Sequence, residues 1–131
     1  NGIDLTGIGR HPEKRENFGH FAKGAPQGEK EGYELVVDAT GSPSGLADAM
    51  NFVRKKGTIV IKSTYAGNAS INMSQAVVNE ITIVGSRCGP FEPSLKLLET
   101  GRVQLPPIEL YELKDFRHAF SSSAFKAGFS F

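Results

Sequence analysis

Apolar and polar positions along this chain fall into blocks whose spacing switches between strand-like and helix-like. Residues 4–9 read as a strand weakened by Gly7. Pro12 then sits at a first-turn position, where its missing N–H costs a helix nothing. Phe18, Phe21 and Ala22 give that helix a short apolar stripe, and Gly24-Ala25-Pro26 ends it. Residues 24–31 are polar and glycine-rich, a surface loop with no strand expected from 22 to 34. Residues 35–40 form the next strand, a nearly continuous apolar run of the kind expected where helices cover both faces of a sheet. Ser42 fits an N-cap and Pro43 the first helical position. Leu46, Met50 and Val53, with Ala47 and Ala49 beside them, define one helix face. The triplet Arg54-Lys55-Lys56 is expected on the last helical turn, where the dipole favours positive charge, with Gly57 as terminator. Further strands are expected over 58–61 and 81–84, with a short edge strand at 70–72 and a helical turn over 73–78. Phe91, Leu95 and Leu98 space out a helix that stops at Gly101. Beyond Pro106-Pro107, a tail holds an apolar stretch at 108–110, a helix over 115–121 and a second apolar stretch at 129–131.

Strands and helices alternating in this way imply right-handed βαβ crossovers and a parallel sheet. Ligands of such sheets bind beyond the carboxyl ends of the strands. Chemical interest therefore falls on the loops Gly9-Arg10-His11, Thr40-Gly41-Ser42, Lys62-Ser63-Thr64-Tyr65 and Ser86-Arg87-Cys88. Glycine at 41 and 85 lets backbone approach a flat ligand closely, although each alone also reads as ordinary turn chemistry. Arg10 lies just past its strand, where an arginine suits a ribose 2′-phosphate and an acid would suit a 2′-hydroxyl. A solvated surface arginine is the plainer reading of the same residue.

Composition narrows the classes. The 131 residues suffice for one domain, and a 39% hydrophobic content is enough for a core, which excludes a disordered tail. No apolar run approaches the roughly 20 residues of a membrane helix, so no membrane partner is expected. Fifteen basic against 14 acidic residues, net +1, argue against a nucleic-acid partner. The single cysteine, Cys88, excludes an internal disulfide and a multi-cysteine zinc site within the chain, and fits a reducing, cytoplasmic compartment. The opening Asn1-Gly2-Ile3, without Met, and the abrupt first apolar run are expected of a piece of a longer protein, a trimmed complete domain being the alternative. No Gly-x-Gly-x-x-Gly, Walker-type loop or Gly-x-Ser-x-Gly elbow occurs. No tyrosine is followed four residues later by lysine. His11, His20 and His118 lack ligand neighbours at metal spacing, and Cys88 has no local histidine. The chain thus carries binding features without a visible catalytic set.

Three blocks go further in combination: Val36-Val37-Asp38-Ala39-Thr40-Gly41-Ser42-Pro43-Ser44-Gly45-Leu46, Lys56-Gly57-Thr58-Ile59-Val60, and Val78-Asn79-Glu80 through Ile81-Thr82-Ile83-Val84-Gly85-Ser86-Arg87-Cys88-Gly89-Pro90-Phe91. Together they are similar to the coenzyme-binding half of the medium-chain, zinc-dependent-type alcohol dehydrogenases. The resemblance implies a Rossmann-like, doubly wound α/β fold with a mostly parallel sheet truncated before strand 1. Residues 1–102 would be the partial NAD(P)-binding domain, and 103–131 a segment returning to the catalytic domain. By position, Gly9 would stand where NAD-dependent members carry an acid, with Arg10 as an NADP-type replacement and Lys14 near the same ribose. Ala39, Thr40 and Gly41 would line the adenine-side loop. Ser63 and the backbone of Ser86 and Cys88 would hydrogen-bond the nicotinamide carboxamide, and Lys126 would contact the pyrophosphate. The implied chemistry is reversible hydride transfer between NADP or NAD, the former favoured by Arg10, and a small alcohol or carbonyl substrate, with zinc polarising the substrate oxygen. A homodimer, formed through the stretch at 70–72, is implied for the parent protein.

The same resemblance places the glycine-rich phosphate loop, the first strand and every zinc ligand upstream, so the chain alone is expected to be inactive. In the strand order 3-2-1-4-5-6, loss of strand 1 leaves residues 4–9 and 35–40 without their shared neighbour. The expectation is that those edges re-pair, or that further residues fill the gap. Two other readings use the same sheet: a nucleotide-binding module without chemistry, and a zinc-independent quinone or enoyl reductase of the same superfamily.

Overall fold

A computed structural model describes residues 4–9, 22–24 and 32–131. It contains three short parallel arrangements rather than one continuous sheet. β1 (Gly7–Gly9) pairs in parallel with β2 (Ala22–Gly24), Gly7 opposite Ala22 and Gly9 opposite Gly24. β2 is a correction: a strand stands where a helix end and loop were expected. Three residues of small or charged type carry no periodicity, and the backbone ladder to β1 supplies what the side chains do not.

The main sheet runs in the order β3 (Tyr33–Asp38), β4 (Val53–Ile61), β5 (Thr82–Gly85), all parallel. Val36 lies opposite Ile59, and Ile59 opposite Ile83. β3 ends at Asp38 rather than Thr40, because the Asp38 carboxylate captures the Thr40 N–H and turns the chain. Helix α1 (Pro43–Phe52) connects β3 to β4, with Ser42 as N-cap accepting from Ser44 N–H and Pro43 at its start, as the sequence implies.

α1 stops at Phe52, and Val53 is already extended. Arg54, Lys55 and Lys56 therefore belong to β4, not to a helical turn, and Gly57 lies within the strand. The strand is recruited early because Tyr33 pairs with Val53 and Gly32 N–H reaches Phe52 O. Gly57 is needed there: a β-carbon would fall 2.6 Å from Val53 Cγ2, 2.8 Å from Arg54 O and 3.0 Å from Glu34 O.

Residues 70–72 form no strand. Asn72 caps α2 (Met73–Val78) instead, its side chain accepting from Gln75 N–H, which removes it from any ladder. α3 (Phe91–Glu99) follows β5 as expected, with no buried residue. The tail folds as β6 (Glu109–Glu112), a 3₁₀ turn (Leu113–Asp115), α4 (Phe116–Ser121) and β7 (Ala127–Ser130), with β6 and β7 paired in parallel.

The core is small and one-sided. Leu46, Ala49, Met50, Val53, Ile59 and Ala76 form it, with Val36, Ile61, Ile81 and Ile83 packed against it. Because side chains alternate along a strand, the opposite face carries Leu35, Val37 and Val84, exposed at 57%, 54% and 45%. Among the described residues α1 packs on one face of this parallel, Rossmann-like sheet and no helix covers the other. Among the described residues β1 pairs with β2 and β3 is the edge of its sheet, so no displaced strand of this chain fills the place of strand 1 there. Exposure of Glu34, Leu35 and Val37 leaves that edge open to water, so its free groups avoid the roughly 1–3 kcal/mol cost of burial without a partner. No helix among the described residues is long and apolar enough to cross a membrane.

Candidate functional site

The three strands of the main sheet end side by side, and hydrogen bonds fasten the loops that leave them. Lys62 N–H donates to Asp38 O at 2.8 Å and Ser86 N–H to Ile61 O at 2.9 Å, carrying the ladder one step beyond each strand. Asp38 closes β3 and is only 2% exposed, its Oδ1 lying beside Gly45 in the first turn of α1. Its Oδ1 accepts from Thr40 N–H (3.0 Å), Thr40 Oγ1 (2.8 Å) and Ser63 Oγ (3.0 Å). Ser63 Oγ also lies 3.3 Å from Asp38 O and accepts from Gly41 N–H at 3.0 Å. Asp38 Oδ2 is buried with no partner. On the other side, Lys62 Nζ donates to Arg87 O at 3.0 Å and reaches Ser86 Oγ at 3.5 Å.

Local chemistry explains each part. An acid at the end of the apolar run Leu35-Val36-Val37 can hold a following backbone N–H, which is ordinary turn behaviour for aspartate. Gly41 has φ +66°, a left-handed conformation that glycine adopts without strain. Gly45, in the first turn of α1, leaves room for the acid: a β-carbon would lie 2.5 Å from Asp38 Oδ1 and closer still to Thr40 Oγ1.

Of the residues singled out from sequence, Thr40, Gly41, Ser63 and Ser86 meet on this rim. Ala39 is exposed between β3 and the loop, and Cys88 is exposed in the loop after β5. Gly9 ends β1, in the two-stranded sheet with β2 and not in the main sheet. Lys126 is exposed just before β7, where its carbonyl accepts from Glu109 N–H. Arg10 and Lys14 lie outside the described residues. The sequence reading assigned no role to Asp38 or Gly45, and placed Lys62 in an interesting loop without giving it one. A charged residue terminating each of two apolar strands was the available signal.

What the rim can do follows from what its groups have left to offer. The Ser63 hydroxyl gives its proton to Asp38 and one lone pair to Gly41, which leaves one lone pair to accept a further donor. The Ser86 N–H is used by Ile61, so its carbonyl is the group left for a ligand. These are acceptor positions suited to a carboxamide NH₂. A zinc ion does not fit: no three His, Cys, Asp or Glu side chains cluster among the described residues. No chemical step is therefore assigned to a metal held by them.

Residues 6–100 match the family described as zinc-binding dehydrogenase. The chain is 29% identical over 99 residues to D-arabinitol dehydrogenase 1 of Uromyces fabae, covering 71% of this chain and 28% of that protein's length. L-Idonate 5-dehydrogenase of Escherichia coli superposes over 98% of this chain and 43% of its own, with TM-score 0.82 and 18% identity. A zinc-binding dehydrogenase of Sinorhizobium meliloti bound to NADP superposes over 93% of this chain and 43% of its own, with TM-score 0.75 and 18% identity. At those identities the two structures speak for the Rossmann-like fold. The family match spans most of the chain, from β1 to the end of α3, and on that ground the chain belongs to the zinc-binding dehydrogenases.

Proposed function

We propose that this chain supplies the coenzyme-binding part of an NAD(P)-dependent oxidoreductase that interconverts an alcohol and a carbonyl. The observation that carries the reading is the fastened rim: Gly41, Ser63 and Ser86 stand at the carboxyl ends of adjacent parallel strands, where ligands of such sheets lie. When bound, a nicotinamide coenzyme supplies or accepts the hydride. The chain's own part is to hold and orient it. Ser63 Oγ and the Ser86 carbonyl accept from the carboxamide, with the Cys88 backbone beside them. Held this way, the ring presents one face, and a fixed face is what lowers the entropic part of the barrier. Ala39, Thr40 and Gly41 line the adenine side, Gly9, Arg10 and Lys14 serve the ribose, and Lys126 the pyrophosphate. Arg10 favours NADP over NAD.

The finer features follow the same reading. Residues 1–102 act as the coenzyme unit and 103–131 as the returning segment. The whole protein is a homodimer of a reducing, cytoplasmic compartment, with zinc ligands, where used, outside this chain. D-Arabinitol, the substrate named for the curated relative, is the first to try. Titration of the whole protein with NADPH and NADH, followed by coenzyme fluorescence, tests the core of the proposal. Saturable binding of either, tighter for NADPH, is expected; binding of neither overturns it.

A further inference from the structure

We propose that Asp38 is a positioning residue for the coenzyme, setting the separation of the loops after β3 and β4 across which a nicotinamide dinucleotide lies; this rests on the function proposed above. Three donors from those two loops converge on one carboxylate oxygen, and the Ser63 hydroxyl that joins them also accepts from Gly41. All of these partners belong to the rim. None belongs to a helix or to the apolar core.

Placing such a group here carries a cost. A carboxylate this deeply buried gives up its hydration, and Oδ2 gains no protein partner in return. Removing it would leave the Thr40 N–H and the Thr40 and Ser63 hydroxyls without their acceptor, so its loss is felt first in the two loops that carry them. What the carboxylate supplies is a fixed geometry, since three donors must point at one atom for the network to close. The space it occupies is kept open by Gly45, the residue of α1 whose lack of a side chain admits both Asp38 Oδ1 and Thr40 Oγ1. Asp38 therefore acts through Ser63, Thr40 and Gly41 rather than on the coenzyme itself.

The test uses the whole protein and reads coenzyme Kd, separate KM values for coenzyme and alcohol, and thermal stability. Asp38→Ala is expected to weaken NADPH binding about tenfold or more, the scale of losing hydrogen bonds to a charged acceptor. Its effect is expected to fall on the coenzyme KM, with the alcohol KM within about twofold of the unsubstituted protein. Asp38→Asn keeps a carbonyl oxygen for the same donors and is expected to recover binding to within about threefold. Gly45→Ala, which pushes on the network from the helix side, is expected to weaken binding as Asp38→Ala does, and it decides the matter if Asp38→Ala does not fold. Ile59→Val, in the core, is expected to lower the melting temperature and leave coenzyme Kd unchanged. Unaltered Kd in folded Asp38→Ala or Gly45→Ala, or an equal loss in Ile59→Val, overturns the proposal. If the unsubstituted protein binds neither NADPH nor NADH, the functional reading fails and takes this one with it; binding that ignores Asp38 sinks this one alone.

Discussion

Lys56, within β4, and Glu80, two residues before β5, both occupy the left-handed region, with φ of 58° and 51°, and their side chains pair at 3.1 Å. Lys56 N–H also donates to Asn79 O at 2.8 Å, so the two strained residues form one linked corner. The ion pair is exposed on both sides, 75% and 64%, and contributes little. The backbone strain is the larger effect, about 1–2 kcal/mol for each L-residue held there. Glu80→Gly is therefore expected to stabilise the protein by about 0.5–1 kcal/mol after the entropy of the added glycine is counted. Urea unfolding checks it, and a lowered midpoint would show that the pair outweighs the strain.

Gly45→Ala reverses the usual sign. In an exposed helix the change gains about 0.5–1 kcal/mol. Here the new β-carbon meets Asp38 Oδ1 and Thr40 Oγ1, so a loss of about 1–3 kcal/mol is expected by overpacking and a broken network. Denaturant midpoints of the two proteins decide the sign.

Gly57→Ala is expected to cost about 1–3 kcal/mol or more. Two of the three atoms it would strike are backbone oxygens, Arg54 O and Glu34 O, which cannot swing away as a side-chain tip can. A melting temperature equal to that of the parent would mean that β3 and β4 separate more easily than their pairing implies.

Ile59 and Val84 occupy opposite faces of one sheet and predict unequal costs. Ile59 is wholly buried, so Ile59→Ala is expected to lose about 2–5 kcal/mol. Val84 is 45% exposed, and Val84→Ala is expected to lose less than about 1 kcal/mol. Comparable losses at both sites would mean that something covers the second face in solution.

How far the chain could be read before folding depended on where the deciding forces were. β3, the later part of β4, and β5 were legible because each is a short run rich in β-branched and other apolar residues bounded by glycine or polar turns. α1 announced its start through Ser42 and Pro43. β2 was not legible, since Ala22, Lys23 and Gly24 owe their conformation to β1, more than ten residues earlier. Arg54, Lys55 and Lys56 misled because basic residues suit a helix end and an exposed strand equally well. On the rim, the loops that hold Gly41, Ser63 and Ser86 followed from topology, and the choice of Ser63 and Ser86 within them from the resemblance. Asp38 did not, because its partner Ser63 is 25 positions away and only the fold brings them together.

The side of the main sheet that none of the described residues covers has a practical consequence for anyone handling this chain. Wetted aliphatic surface is penalised more heavily as strongly hydrated salts are added. Leu35, Val37 and Val84 should make this polypeptide cling to phenyl resin and come out of solution early in ammonium sulfate, whereas chaotropic buffers should keep it dispersed.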